Sequence, residues 1–244
     1  MKRSPGFSLI ELVIAVGIFG ILSILIFSFF RFGTRSFQAA TNKQGLQLDA
    51  LRAMESLQTE LKRSNRASVT VLDGPSRTIT APVEGPVQRN GVSFLTLKNW
   101  QDKTNPNNFD LESQAPLWNR YLVFYATKDE IGQFIRVKAD PNPAPEGAIE
   151  MVQDDLDLLL RDDPSLNNFA GGTPPYTILT KNVLEFSAEE GKDGLGKLTG
   201  DYKFSLKLKQ KKAKGPVGPG PTRPFDYYEI EVVIKPENSY PNDL

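Results

Sequence analysis

An uncharged apolar run near the start of the chain limits, more than any other feature, what this sequence can fold into. Residues 12–30 read LVIAVGIFGILSILIFSFF, nineteen residues without a charge. At about 1.5 Å of rise per residue, a helix of this length spans roughly the hydrocarbon core of a bilayer. Lys2 and Arg3 precede the run and predict a cytoplasmic N-terminus, although Arg31 and Arg35 beyond it oppose that orientation. The run therefore predicts a single membrane span.

A cleaved secretory signal peptide is the alternative interpretation, because it also combines a basic start with an apolar stretch. The run is longer than the roughly 7 to 15 residues of a secretory apolar region, and no convincing A-x-A cleavage site follows it. Glu11 near its head is also unusual for such a signal. These three details favour a retained membrane helix.

Glu11 is a carboxylate at the edge of a segment that favours lipid. Moving it toward the bilayer centre costs on the order of a few kcal/mol, so such a residue usually has a partner and a role. If the chain were cut between Gly6 and Phe7, Glu11 would become the fifth residue (11 − 6 = 5), about one helical turn from a new α-amino cation. That cation could neutralise Glu11 in the same chain or in a neighbouring one.

The residues Gly6-Phe7-Ser8-Leu9-Ile10-Glu11, followed by an apolar helix, resemble the prepilin cleavage and methylation motif of type IV pilin-like proteins. The resemblance implies that a prepilin peptidase removes residues 1–6 as a leader and methylates the amine of Phe7. It also implies an inner-membrane subunit that works with an assembly platform and with other pilins or pseudopilins. In such filaments Glu11 would meet the N-terminus of an adjacent subunit.

The helical pattern continues beyond the membrane run. We predict a filament-core and membrane segment over residues 7–30 and an amphipathic stem over 31–66. One face of the stem is apolar, with residues spaced four, four, three and four apart: Leu46, Ala50, Met54, Leu57 and Leu61. Gly33 and Gly45 each lower helix stability by up to about 1 kcal/mol relative to alanine, so we expect a bend or a frayed turn near them.

From residue 67 to 244 the pattern changes to a period of two, which predicts a β-rich periplasmic head. Strands are expected at 68–72, 78–81, 92–97, 120–126, 133–139, 201–209 and 226–235, and as the two runs YTIL and NVLEFSAE within 176–189, with one helix at 151–160. Surface loops are expected at 99–116, 140–147 and 211–224, which are rich in proline, glycine or asparagine. The fold class is α+β: a long N-terminal helix packed on an antiparallel sheet.

The order of these strands gives a second resemblance, to the heads of the larger minor subunits. These are the J-type minor pseudopilins of type II secretion and the W-type minor pilins of type IV pili. The resemblance depends on an aromatic-rich strand, a hairpin ending in Phe134-Ile135-Arg136, the later segment ILTKNVLEF and a final alternating strand. It implies a place among the minor components of a filament.

The amino-acid composition argues against several other classes of function. The chain has no cysteine and no histidine, which removes disulfides, thiolate or imidazole metal sites and nucleophile–histidine pairs. With 29 basic and 29 acidic residues, no net charge attracts nucleic acid, so we do not expect that partner. No carboxylate pair or Ser-Lys dyad stands out, so we expect no enzymatic activity and no cofactor.

Three further groups of residues have both a functional and a structural interpretation. Asp154, Asp155 and Asp157 could bind calcium, or could lie on a solvated helix face, and no EF-hand spacing is present. The lysines of residues 207–214 could touch DNA or anionic lipid, or could form a solvated strand end. Trp100 and Trp118 favour core or loop anchors over a ligand platform.

The sequence thus predicts a minor subunit of a type II secretion pseudopilus, in a tip or initiation complex. Its mature length of 238 residues (244 − 6) is large for the repeating subunit. A minor pilin of a type IV pilus is the alternative, disfavoured because no cysteine pair exists for a C-terminal disulfide loop. A membrane-anchored periplasmic binding or hydrolytic domain is the alternative from another class.

Overall fold

The described part of the chain consists of one long helix and a set of antiparallel strands. The computed structural model describes residues 8–72, 77–129, 132–139, 175–192, 194–211 and 225–237. The chain divides into two compact units, one formed by Met1–Gly45 with Lys211–Asp226 and the other by Leu46–Gln210 with Tyr227–Leu244. The predicted α+β class is confirmed.

The N-terminal helix, α1, runs from Leu9 to Lys62. The helix continues through Gly33 and Gly45. The frayed turn expected near these glycines is therefore absent, and the expected bend stays a prediction. Two isolated glycines cost too little to interrupt the i to i−4 hydrogen bonds of a long helix. Asn65 then caps a short 3₁₀ turn by accepting a hydrogen bond from Ala67 N–H at 3.1 Å.

Nine strands follow in the described residues: β1 Thr70–Leu72, β2 Thr78–Ala81, β3 Gly85–Gln88, β4 Gly91–Thr96, β5 Arg120–Ala126, β6 Gly132–Ala139, β7 Tyr176–Lys192, β8 Leu198–Lys211 and β9 Phe225–Ile234. Seven of them form one sheet in the order β1-β4-β5-β6-β7-β8-β9, and β2 and β3 form a separate hairpin. The β5–β6 hairpin is confirmed, with Ala126 opposite Phe134. The predicted helix at 151–160 and the loop at 140–147 lie outside the described residues, as does nearly all of the loop at 211–224.

The side of the sheet that faces α1 forms the inner core. All five apolar stem residues predicted from spacing are buried, so the predicted face is confirmed. They pack against a row of phenylalanines contributed by successive strands: Phe94, Phe124, Phe134, Phe186 and Phe204. Neighbouring rings in this row lie 4.6 to 6.2 Å apart, within the usual range for aromatic pairs. This packing fixes the second part of α1 on the sheet.

The opposite side of β4, β5 and β6 is also covered, and its buried residues form the outer core. Trp118, Phe109 and Leu97 come from the segment between β4 and β5 and cover Tyr121 and Tyr125. Trp100 packs edge-on against Trp118, with ring centroids 5.8 Å apart. The tryptophans are therefore core and loop anchors, as predicted. A solvated outer face remains on β8, where Lys203 is exposed while Tyr202 and Phe204 are buried.

Two buried arginines fasten the β2–β3 hairpin to the sheet. The Arg89 guanidinium is 1% exposed and donates to the carbonyl oxygens of Leu184, at 2.8 Å, and Thr127. Arg77 donates to the carbonyl oxygens of Arg89, at 2.8 Å, and Ala126, at 2.7 Å. Because these carbonyls belong to segments that are 12 to 95 positions away in sequence, each guanidinium joins distant parts of the chain.

Gly132 leaves the space that the Arg89 guanidinium fills. A Cβ atom at this position would collide with that guanidinium and would also lie 2.6 Å from the carbonyl oxygen of Val183. The guanidinium is enclosed on all sides, so it cannot move away as an exposed side chain would. The glycine at the start of β6 is therefore required by packing.

A second contact holds the turn of the β2–β3 hairpin. Glu84 accepts hydrogen bonds from Tyr227 Oη at 2.6 Å and Lys209 Nζ at 2.9 Å. Burial alone would raise the pKa of the Glu84 carboxyl, but the hydrogen bonds and the lysine charge outweigh it and hold the pKa below its ordinary value. The carboxylate therefore stays ionised at neutral pH and joins β8 and β9 to this turn.

Candidate functional site

The start of α1 is built around Ser8 and Glu11. The Ser8 hydroxyl oxygen accepts a hydrogen bond from Glu11 N–H at 3.3 Å, and a Glu11 carboxylate oxygen accepts one from Ser8 N–H at 2.9 Å. This reciprocal pair is a capping box, which satisfies two backbone donors at a helix N-terminus. The negative charge also lies near the positive end of the helix dipole. The sequence pattern S-x-x-E could have predicted this role for Ser8, which our sequence interpretation missed.

Glu11 keeps unused hydrogen-bonding capacity in the single chain. Its side chain is exposed, and in the described residues its hydrogen-bond partner is Ser8 N–H, a neutral donor. A carboxylate accepts hydrogen bonds at both oxygens, so one cationic group could still bind. Phe7 is covalently joined to Ser8, which means that a cut after Gly6 would create an amine within a few ångströms of this turn.

The helix surface that follows is apolar on all sides. Side chains from Leu9 to Phe30 are exposed, with Phe19 72% and Phe29 77% accessible. Among the described residues, α1 is the one helix long and apolar enough to cross a membrane. A helix that is apolar around its whole circumference belongs in lipid or among other helices. The first part of α1 thus fits a membrane anchor.

The sequence of this helix start matches a known protein-family model. Residues 1–27 match the prokaryotic N-terminal methylation motif. The methylation motif indicates a type IV pilin-like protein, and it implies processing by a prepilin peptidase and assembly with other pilins. Comparison with curated proteins and with solved structures gave no match. The motif covers the leader and the first part of α1, and the sheet lies outside the matched residues.

The other predicted site residues have different outcomes. Gly6 and Phe7, the predicted cleavage and methylation residues, lie outside the described part of the structure, so their roles stay predictions. The calcium candidates Asp154, Asp155 and Asp157 also lie outside it. Within the described ranges, no three His, Cys, Asp or Glu side chains come together in a way that could hold a metal ion.

Residues 207–211 of the predicted basic stretch lie on β8 and are partly neutralised, while residues 212–214 lie outside the described part of the chain. Lys207 Nζ lies 3.3 Å from a Glu229 carboxylate oxygen, and Lys209 Nζ lies 2.9 Å from that of Glu84. Glutamates on β9 and in the β2–β3 turn thus face these lysines. Pairing of this kind favours the structural interpretation of the stretch over a role in binding phosphates.

Proposed function

We propose that the chain is a minor subunit of a type II secretion pseudopilus and acts in its tip or initiation complex. The observation that carries the proposal is the methylation motif joined to a large head, in which a seven-stranded sheet is covered on both faces over β4–β6. A repeating subunit must fit its head at every helical step of the filament. A head of this size is easier to accommodate at one end of the filament, where it is needed only once.

Leader removal is the first step of the proposed mechanism. The peptidase hydrolyses the Gly6–Phe7 bond with water, and it then transfers a methyl group from a separate methyl donor to the new amine of Phe7, where it replaces one proton. Before cleavage Lys2 and Arg3 favour the cytoplasmic side of the inner membrane, which leaves the head in the periplasm. After cleavage those two charges are lost with the leader, and the methylated ammonium is the remaining cation beside Glu11.

Charge pairing between chains then selects the next subunit. An unpaired Glu11 is costly in an apolar environment, and the α-ammonium of a neighbouring chain would neutralise it. The attraction of opposite charges about 4 Å apart is many times stronger in a low-dielectric filament core than in water. The apolar surface of α1 can move from lipid into contact with other helices at little cost in hydrophobic free energy, because both surroundings are apolar. Pairing of Glu11 therefore supplies both register and recruitment.

This role is structural and involves no catalysis. The partners we propose are the prepilin peptidase, other minor and major pseudopilins, the inner-membrane assembly platform and the lipid bilayer. Nucleic acid is not among them, and no cofactor or metal is required. The head contributes contacts to neighbouring subunits, and the N-terminal part of α1 anchors the chain before and during assembly.

The abundance of the chain in filaments tests this proposal. Filaments sheared from cells and measured by quantitative mass spectrometry are expected to contain far fewer copies of this chain than of the repeating subunit. Equal abundance, or absence from filaments, would contradict the minor-subunit assignment. In a deletion strain we expect extracellular secretion to fall. Loss of surface pili with normal secretion would instead support a minor pilin of a type IV pilus.

A further inference from the structure

The last strand, β9, lies at one end of the seven-stranded sheet. It pairs with β8 on one side, and among the described residues no strand lies on its other side. Three residues in its second half are exposed, namely Glu229, Glu231 and Val233, the last of them to 65%. An edge strand presents N–H and C=O groups that can pair with another chain. The side of β9 that faces away from β8 is called the open edge below.

The backbone directions of β8 follow from its pairing with β7. The Phe186 carbonyl oxygen on β7 accepts a hydrogen bond from Asn90 N–H at 2.9 Å, so the Phe186 backbone points away from β8. Because backbone direction alternates along a strand, Ser187 points toward β8 and bonds with Ser205, which lies opposite. Ser205 therefore points toward β7, and the next residue, Leu206, points toward β9.

The same alternation leaves the odd-numbered residues of β9 facing the open edge. Ser205 Oγ donates to a Glu229 carboxylate oxygen at 3.1 Å, and Lys203 Nζ lies 3.2 Å from that of Glu231. Odd-numbered residues of the two strands therefore lie side by side on the outer face, and even-numbered residues lie side by side on the inner face. Since the even-numbered residues of β8 bond to β9, they bond to even-numbered partners. Glu229, Glu231 and Val233 thus direct their N–H and C=O groups toward the open edge.

The two faces of β9 differ in chemistry. Tyr228, Ile230 and Val232 are half-buried and pack against the inner core. Glu229 and Glu231 are exposed on the outer face. A strand added at the open edge would cover the remaining apolar surface on one face and would meet two carboxylates on the other. The matching segment therefore alternates apolar and basic residues.

β8 shows that β9 accepts a strand of this pattern. Residues 203–208 read KFSLKL, with the two lysines on the outer face and the phenylalanine and leucines in the inner core. These two lysines do not balance the acidic groups around them. Over residues 185–189, 203–207 and 229–231 the outer face carries four glutamates and two lysines: Glu185, Glu189, Glu229, Glu231, Lys203 and Lys207. The surplus of negative charge favours a second basic strand beside β9.

We propose that an extended segment of a different polypeptide, with basic and apolar residues in alternation, pairs antiparallel with the open edge of β9. Its basic side chains would face Glu229 and Glu231, and its apolar side chains would continue the inner face. Residues 228–234 span about 23 Å at about 3.3 Å per residue, so some seven residues of the segment would pair. The proposal does not depend on which filament the chain joins.

A second copy of this chain is less suited to the open edge because of the same glutamates. Two β9 strands overlap most fully when they pair antiparallel around Glu229 or Ile230. Either register places glutamates directly opposite each other, and like charges in opposite positions destabilise a strand pair. Glu229 and Glu231 thus oppose self-pairing and favour a basic partner.

Peptide binding to the full-length chain in detergent tests the proposal. The probe is a capped seven-residue peptide, YKFSLKL, which copies residues 202–208 of β8. One control carries methyl groups on the backbone nitrogens of its two lysines and its serine, whose N–H groups would face β9. The other has glutamate in place of both lysines. We expect each control to bind at least about tenfold more weakly than the probe, because the first loses backbone hydrogen bonds and the second meets like charges.

The position of binding is tested by amide exchange and by a charge exchange. The probe should slow amide hydrogen exchange at Glu229, Glu231 and Val233. Glu231→Lys should bind the probe about tenfold more weakly than the parent and bind the glutamate peptide more tightly. Glu55→Lys, at an exposed position on α1, is the matched control and should bind both peptides as the parent does.

Three results would overturn the proposal: equal binding of the probe and its methylated control, unchanged amide exchange on β9 with the probe bound, or an unchanged peptide preference in folded Glu231→Lys. If Glu231→Lys does not fold, the first two measurements on the parent chain decide. Slower exchange of the same amides when the protein concentration is raised without peptide would overturn the assignment to a different polypeptide, because it would show pairing between copies.

Discussion

Glu11→Ala is expected to leave leader removal intact and to reduce recovery of the chain with its partner pilins to near background. The substitution removes the carboxylate that we propose pairs with the α-ammonium of a neighbouring chain. Processing should continue because the Gly6–Phe7 bond is unchanged. The measurement is co-purification of partner subunits from detergent-solubilised membranes, with the cleaved fraction determined on the same sample. Glu55→Ala, an exposed carboxylate on the same helix, is the matched control and should co-purify normally.

Two further variants separate charge pairing from local capping. Ser8→Ala removes the hydroxyl of the capping box, which is worth about 1 kcal/mol of helix stability, but keeps the Glu11 charge. Glu11→Gln keeps an acceptor for Ser8 N–H and removes the charge. We expect Glu11→Gln to lose partner subunits and Ser8→Ala to retain most of them. The reverse order would mean that Glu11 acts through the start of the helix, and normal co-purification of Glu11→Ala would contradict charge pairing altogether.

Arg89→Met is expected to produce the largest loss of stability, roughly 2 to 5 kcal/mol. The variant leaves the buried carbonyl groups of Leu184 and Thr127 without this donor and detaches the β2–β3 hairpin from the sheet. Denaturant unfolding of the full-length chain in detergent can be followed by tryptophan fluorescence, because Trp100 and Trp118 both lie in the outer core. A loss below about 1 kcal/mol would contradict the role given to Arg89.

Two controls accompany this measurement. Arg52→Met removes an exposed guanidinium from α1 and should change stability by less than about 0.5 kcal/mol. Gly132→Ala approaches the same site from the other side, because its Cβ would collide with the Arg89 guanidinium and crowd the Val183 carbonyl. If Gly132→Ala is well tolerated while Arg89→Met is not, the close packing at Gly132 is not needed to hold the arginine.

The helix and most of the strands could be predicted because their signals are local. The stem face follows from spacings of three and four, and β2 and β5 have the predicted bounds since alternation and turn residues define both ends. The segments YTIL and NVLEFSAE read as separate runs, yet β7 continues through both. Asn182, with φ of 62°, sits where the pairing register with β6 shifts, so an irregularity within one strand interrupts the pattern.

Features that depend on distant residues could not be predicted in the same way. β3 was missed because Gly85-Pro86 is typical of a turn, and it becomes a strand by pairing with β2. The burial of both faces of β5 depends on the segment that carries Phe109 and Trp118. The capping box could have been predicted from the S-x-x-E pattern of Ser8 and Glu11.

The mass of the mature N-terminus tests the central claim most directly. The full-length chain should be purified from cells with an active prepilin peptidase, digested, and its first peptide sequenced by tandem mass spectrometry. We predict a peptide that begins at Phe7 with one methyl group on its α-amine and includes an unmodified Glu11. A chain that still begins at Met1 in such cells would contradict the pilin-like assignment.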